Sequence, residues 1–251
     1  MHIIIPARYA STRLPGKPLL DVAGKPLIQR VYDCAVNSGA DAIVIATDDA
    51  RIAAAAKNFG AQVCMTSAAH RSGTDRLAEV IEKLSIADEE VVVNLQGDEP
   101  LMPANLMREL ADKLKQHPHA VMATACHRIK DRETLLNPNV VKVVCDAKGY
   151  ALYFSRAPIP WPRDEMATAS PTASIEAYHH IGLYAYRAGF VRRYAAWPPC
   201  PPEVAEQLEQ LRVLWHGERI IVQQVAAMPQ AGVDTPQDLQ RVREYFIATG
   251  D

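Results

Sequence analysis

The chain has 251 residues, of which 49% are hydrophobic and 22% charged, with a formal net charge of −2. That is the composition of an ordinary globular protein with ample apolar material for a core, and it excludes the strongly basic balance that general nucleic-acid binding wants. No apolar run approaches the ~20 residues of a membrane span, and Met1 leads into an apolar strand with no charged region or cleavage site of a secretory signal, so a cytoplasmic protein is expected.

In chain order, residues 3–5 are three isoleucines, which predict a short buried strand ended by Pro6. A loop carrying Arg8, Ser11, Thr12, Arg13 and Lys17 follows, its turns set by Pro15, Gly16 and Pro18. Residues 21–25 read as a turn. Pro26 suits the first position of a helix that runs to about Ser38 and is stopped by Gly39. A strand at 42–46, a helix at 50–59, a strand at 62–65 and a helix from about Asp75 to Leu84 come next. Residues 91–95 are continuously apolar and predict a central strand, followed by a helix at 103–116. This alternation predicts an α/β fold, a mostly parallel open sheet with helices on both faces. The second half changes character. It reads as a strand at 120–127, a hairpin of 140–146 with 150–156, and a Pro- and Trp-bearing segment at 157–171. A strand at 174–186, a helix at 188–196, one amphipathic helix at 203–215, a strand at 219–227 and a helix at 236–247 complete it. With no linker in view, we expect a single domain over 1–251. Its nucleotide-binding part is about 1–119, and a smaller, partly antiparallel substrate-binding and assembly part is about 120–251.

The chemistry-bearing residues gather in a few loops. The first thirty residues hold five basic residues and one acid, Asp21. A cationic loop at the carboxyl end of a strand is where open α/β sheets bind ligands. Arg8, Arg13 and Lys17 can hold a triphosphate there, Arg as a fork and Lys as a point charge; a merely solvated loop is the alternative. The tetrapeptide GKPL starts at Gly16 and again at Gly24, but Pro follows each Lys, so neither is a Walker loop. Asp98, beside Gly97 past one strand, and Asp234, past another, suit magnesium shared with phosphate oxygens. On the residues alone the turn-former or helix-cap reading is favoured for each, Asp234 for the helix beginning near Pro236. One of Asp48 and Asp49 should cap the helix at 50. Ser72 and Thr74 could cradle a base and ribose, or Thr74 or Asp75 could cap a helix. His179 and His180 face opposite ways on a strand. His180, with Tyr184, is expected to face the site and His179 the core, with a structural His180 as the alternative. Five cysteines without a C-x-x-C pair read as small buried hydrophobes and not as a zinc site.

These segments also carry a resemblance. IPARYASTRLPGKPL, followed in order by HRSGTDR, NLQGDEP, FSRAPIPW, HHIGLYAYR, EQLEQLRVL and GVDTPQDL, resembles the sugar-acid cytidylyltransferases over essentially the whole chain. YASTRLPGKPL and HHIGLYAYR favour the branch that uses 3-deoxy-manno-octulosonate over the sialic-acid branch. The resemblance implies a nucleotide-diphospho-sugar transferase-like fold and two substrates, CTP and 3-deoxy-D-manno-octulosonate. It implies Mg2+ on Asp98 and Asp234, with Lys17 as a further catalytic residue. The nucleotide would meet Arg8, Ser11, Arg13 and Lys17, with Ser72, Thr74, Asp75, Arg76 and Gln96 around the cytidine. The sugar acid would meet Gln96, Arg156, His180, Tyr184, Glu209 and Gln210. On the residues alone, Glu209 and Gln210 read as a solvated helix face, and Arg156 serves equally as a carboxylate partner or a structural group. The resemblance further implies a homodimer. Trp161, Tyr178, Tyr184, Tyr186 and Trp197 are aromatic surface suited to that contact. No nucleic-acid or membrane partner is implied. Gln237 stands where the family often has Glu, outside the implied ligands. A non-catalytic nucleotide-sensing module would require the loss of metal ligands, yet Asp98 and Asp234 are both present.

Overall fold

The computed structural model describes residues 1–10, 14–70, 72–166 and 176–250. Strand β1 (His2–Ala7) buries Ile3, Ile4 and Ile5 completely, each contributing roughly 1.5–3 kcal/mol of apolar burial. After a 3₁₀ turn at Lys17–Leu19, β2 (Asp21–Val22) and β3 (Lys25–Pro26) pair around Ala23 and Gly24. Their φ angles of 52° and 84° are the doubly positive signature of a tight hairpin turn. This hairpin stands where a plain turn was expected. It leaves Pro26 as the N-cap of α1 (Leu27–Val36), one residue ahead of its expected place.

Next come β4 (Ala42–Thr47), α2 (Ala50–Asn58) and β5 (Gln62–Met65). Asp49 caps α2 by accepting from the Arg51 N–H, as expected of one of the aspartate pair. Helix α3 (Gly73–Lys83) begins earlier than expected, because Ser72 is the cap and Asp75 returns the bond in a capping box. The chain continues through β6 (Val91–Asn94), α4 (Ala104–Gln116), β7 (Met122–Arg128), α5 (Arg132–Leu136) and β8 (Lys142–Cys145). Then follow β9 (Ala151–Ser155), α6 (Arg163–Met166), β10 (Tyr178–Arg187) and α7 (Ala188–Ala195). Finally come α8 (Pro201–Glu206), α9 (Gln210–Trp215), β11 (Ile220–Val225) and α10 (Pro236–Thr249). The first residues of the strand expected at 174 and the end of the 157–171 segment lie outside the described residues.

The single helix expected at 203–215 is two. Gln207 adopts a left-handed conformation at φ 54° and ends α8. Arg212 Nε then reaches Glu203 at 2.7 Å, within a buried ion pair. In one continuous helix, nine residues would hold these side chains about 13 Å apart along the axis. The pair therefore requires the break that amphipathic spacing alone did not reveal.

The chain forms two compact units. The first comprises Met1–Ala111, Ala185–Ala195 and Pro229–Asp251, and the second Asp112–Tyr184 and Ala196–Met228. Residues 185–195 and 229–251 thus belong with the first unit, where a cut near residue 119 had put them in the second part. In the first unit the strands run β6–β1–β4–β5, all parallel. A cluster of Leu14, Val22, Leu27, Val233, Leu239 and Phe246 joins the N-terminal loop to the C-terminal segment. Arg30 holds the hairpin by donating to the Val22 and Ala23 carbonyls, and it stacks 4.2 Å from the Phe246 ring centroid.

In the second unit β11 is parallel to β7, and β8 is antiparallel to β9 and β10. Lys142, with no exposed surface, donates to the carbonyls of Asn137, Val140 and Arg156. Among the described residues, no helix is long and apolar enough to cross a membrane.

Candidate active site

The site of the first unit forms where β1 and β6 end side by side. Their parallel register pairs Ile4 with Asn94, and the Leu95 N–H donates to the Ile4 carbonyl. From β1 the chain leaves toward Arg8, and from β6 toward Gln96, Gly97 and Asp98. Gly97 is required by space: a Cβ there would lie 2.7 Å from the Pro6 carbonyl oxygen. The third segment, 232–234, meets the same turn. A Cβ on Gly232 would lie 2.8 Å from the Asp98 carbonyl oxygen, and the Val233 N–H donates to that oxygen at 2.8 Å. Val233 is fully buried in the apolar cluster. In Gly-Val-Asp, then, the glycine permits the approach, the valine anchors it, and the aspartate projects.

Lys17 closes the arrangement. Its Nζ donates to Asp98 Oδ2 at 2.6 Å, to the Val233 carbonyl at 2.9 Å and to Asp234 Oδ1 at 3.3 Å. Gly16 sets its approach: φ is 67°, and a Cβ would press on the Tyr9 phenol, 3.1 Å from its hydroxyl oxygen and 3.2 Å from the ring. The Tyr9 ring is itself covered by the Arg51 guanidinium at 3.3 Å. Asp234 does not cap α10. That role falls to Thr235, in a capping box with Asp238. Sequence reasoning also passed over Glu99. It is a third carboxyl beside Asp98 and Asp234, pushed up to about 8 by burial first and by those two charges next. Its Oε2 is buried and has no hydrogen-bond partner among the described residues. The run Asp98-Glu99 was the available signal.

Arg8, Lys17, Gln96, Asp98 and Asp234 line a cleft of about 320 Å³. Ser11 and Arg13 lie outside the described residues. Ser72 and Asp75 are spent on the α3 capping box, and Thr74 is buried. Arg76 has no exposed surface. It bonds Thr66 and pairs with Asp48 at 3.5 Å, and burial first, then the charge of Arg8, lower its pKa.

Arg156, His180, Tyr184, Glu209 and Gln210 all belong to the second unit. Arg156 donates to the Glu206 and Pro138 carbonyls. Of the two histidines it is His180, and not the core candidate His179, that is enclosed. His180 is buried, 3.0 Å from the Thr124 hydroxyl and edge-on to Phe154, whereas His179 is only partly buried. Ile181, Leu183 and Ala185, which share the face of His179, are buried as expected, and on the other face His180 and Tyr186 are buried beside an exposed Gly182. Glu209 is exposed, whereas Gln210 is buried, and its Nε2 has no hydrogen-bond partner among the described residues. The solvated-face reading therefore fails for Gln210.

The donor set fits a hard divalent cation. Two carboxylates already converge on one cationic group, the Lys17 ammonium, and all of its partners are oxygens. Among the described residues no group of three or more His, Cys, Asp and Glu could hold a metal. A two-carboxylate site that leaves the rest of the shell to water and phosphate is the usual magnesium arrangement.

Residues 2–220 match the cytidylyltransferase family. The chain is 57% identical over 244 residues to the 3-deoxy-manno-octulosonate cytidylyltransferase of Idiomarina loihiensis, covering 96% of each. It is 59% identical over 243 residues to that of Hahella chejuensis, covering 96% of this chain and 95% of the relative. A solved structure of CMP:2-keto-3-deoxy-manno-octonic acid synthetase complexed with CTP is 44% identical, with a TM-score of 0.90 over 98% of both chains. With segments from both ends of the chain converging on one lysine and two aspartates, and with likeness over nearly its full length, the chain belongs to the cytidylyltransferase family, among the 3-deoxy-manno-octulosonate cytidylyltransferases.

Proposed function

We propose that this chain transfers CMP from CTP to the anomeric hydroxyl of 3-deoxy-D-manno-octulosonate and releases pyrophosphate, activating the sugar acid in the cytoplasm for lipopolysaccharide synthesis. The observation that carries the reading is the Lys17 ammonium held between Asp98 and Asp234 in a cleft that Arg8 and Gln96 also line. Arg8 and Lys17 bind phosphate oxygens, and Gln96 lies where the nucleoside and sugar meet. Arg13 and Ser11 add phosphate contacts, while Ser72, Thr74, Asp75 and Arg76 shape the wall of the cytidine pocket. Arg156, His180, Tyr184, Glu209 and Gln210 receive the sugar acid. Asp98 and Asp234 would hold magnesium. When bound, that ion supplies charge neutralisation at the α-phosphate and acidifies the attacking hydroxyl. The protein's own contribution is alignment of the hydroxyl with the phosphorus and donors fixed in advance. The working form is a homodimer.

The test combines CTP, magnesium and candidate sugar acids with product identification. Pyrophosphate and the CMP-sugar should form with the eight-carbon acid, and much less with sialic acid; equal turnover of sialic acid would overturn the substrate. Asp98→Asn and Asp234→Asn should each abolish most turnover without unfolding the protein. Because Thr235 is the helix cap, loss of activity in Asp234→Asn has no capping explanation.

A further inference from the structure

We propose that Lys17 is a built-in counter-cation for the Asp98–Asp234 pair, which a divalent metal must displace and which the nucleotide's phosphates then receive. Metal and nucleotide binding are thereby coupled through one side chain. This rests on the reading that the two aspartates hold the metal.

The Lys17 ammonium lies 2.6 Å from Asp98 Oδ2, 3.3 Å from Asp234 Oδ1 and 2.9 Å from the Val233 carbonyl. A magnesium or manganese ion shared by the same two carboxylates needs metal–oxygen distances of about 2.1 Å. It would occupy the volume the ammonium fills, and the two positive charges would repel at that separation. The pair therefore holds one cation or the other.

Displacing the ammonium removes three contacts, two of them to charged oxygens. Without a new acceptor in reach, that loss weakens metal binding. The backbone at Lys17 is braced by Gly16, Pro18 and the 3₁₀ turn, so the group that moves is the four-carbon stem. Arg8 and Gln96 line the same cleft. A polyphosphate there offers the displaced ammonium new oxygens and offsets the loss. Reciprocity then requires the metal to strengthen nucleotide binding by the same factor as the nucleotide strengthens metal binding. A fixed carboxylate pair with no internal cation would show no such dependence on Lys17.

The probe is Mn2+ alone, titrated into nucleotide-free protein by calorimetry. Lys17→Met and Lys17→Gln should bind Mn2+ more tightly than wild type, on the order of tenfold or more, the range of one charge-assisted hydrogen bond. Lys17→Arg, which keeps the charge, should remain close to wild type. Adding Asp98→Asn to Lys17→Met should remove the gain. If both neutral variants bind Mn2+ no better than wild type while Asp98→Asn alone weakens it, the metal site stands and the counter-cation role is overturned. If Mn2+ binding is indifferent to Asp98→Asn in every background, both readings fall. Should neither neutral variant fold, wild-type crystals grown in Mn2+ decide the matter. An ion between the aspartates with Lys17 turned away supports the proposal, and an ion with the ammonium still bonded to both overturns it.

Discussion

Gly97→Ala tests whether the close approach of two strand ends sets the geometry of the cleft. The new methyl would sit 2.7 Å from the Pro6 carbonyl oxygen and 3.6 Å from Ala7 Cα and Cβ. Ordinary contact begins near about 3.5 Å, so something must give by most of an ångström. The Pro6 oxygen cannot yield easily, because β1 is clamped between β4 and β6. The turn must move instead, carrying Gln96 and Asp98 away from Lys17. Overpacking of this kind costs roughly 1–3 kcal/mol. At about 2–4 °C per kcal/mol for a chain of this size, the melting temperature should fall by about 2–12 °C. Misplacement approaching 1 Å should cost up to ~100-fold in kcat/KM. Calorimetry and pyrophosphate release read the two effects. Gly182→Ala is the control: nothing lies within 4 Å of its Cβ, so a change within about 0.5 kcal/mol is expected. Wild-type melting and turnover in Gly97→Ala would refute the packing argument. A lowered melting temperature with unchanged turnover would refute its link to the site.

Three further outcomes are expected. Burial pushes His180 down to about 3 from 6.5, so the folded state refuses a proton that the unfolded chain accepts. Its contribution is intact above pH 6.5 and is lost as pH falls toward 3, at up to about 1.4 kcal/mol per pH unit. His180→Gln should flatten that slope in urea midpoints taken between pH 7 and 4; an unchanged slope counts against it. Lys142→Met should destabilise by at least about 2 kcal/mol, since three carbonyls lose their buried donor; a neutral result in denaturant titration would show those carbonyls finding other partners. Light scattering at micromolar concentration should give a dimer. Leu152, Trp161, Val204 and Trp215 of the second unit are 57–61% exposed, and a monomer would leave that apolar surface unexplained.

Local pattern carried most of the fold. Apart from the β2–β3 hairpin, the three isoleucines, the valine run and the Gly stops placed the strands and helices of the first unit within a residue or two, because there period and punctuation agree. What pattern could not carry was long-range. The break at Gln207 follows from an ion pair between Glu203 and Arg212, and no local signal names that pairing. Alternation found the buried Ile181, Leu183 and Ala185 but not the burial of His180, which rests on Thr124 and Phe154 from other strands. At the site, Lys17 and Asp98 were legible as residues beside strand ends. On the residues alone Asp234 read better as a cap, and only the contacts of Thr235 with Asp238 remove that reading. The resemblance supplied what the residues alone left open.

The charge balance of the cleft bears on how a polyanion is admitted. Three carboxyls stand together at Asp98, Glu99 and Asp234, an arrangement that should repel CTP. Glu99, pushed up to about 8, is mostly protonated at neutral pH. Among the described residues that line the cleft, that leaves two aspartate charges beside the cations of Lys17 and Arg8. A nucleotide arriving with its own divalent cation changes the terms on both sides. The aspartates gain a partner of higher charge, and the phosphates gain the released ammonium. Selectivity for the metal-bound nucleotide over the free one then follows from charge matching, without a dedicated recognition group. In the proposed exchange, Lys17 stabilises the carboxylate pair in the nucleotide-free protein and the phosphates in the complex.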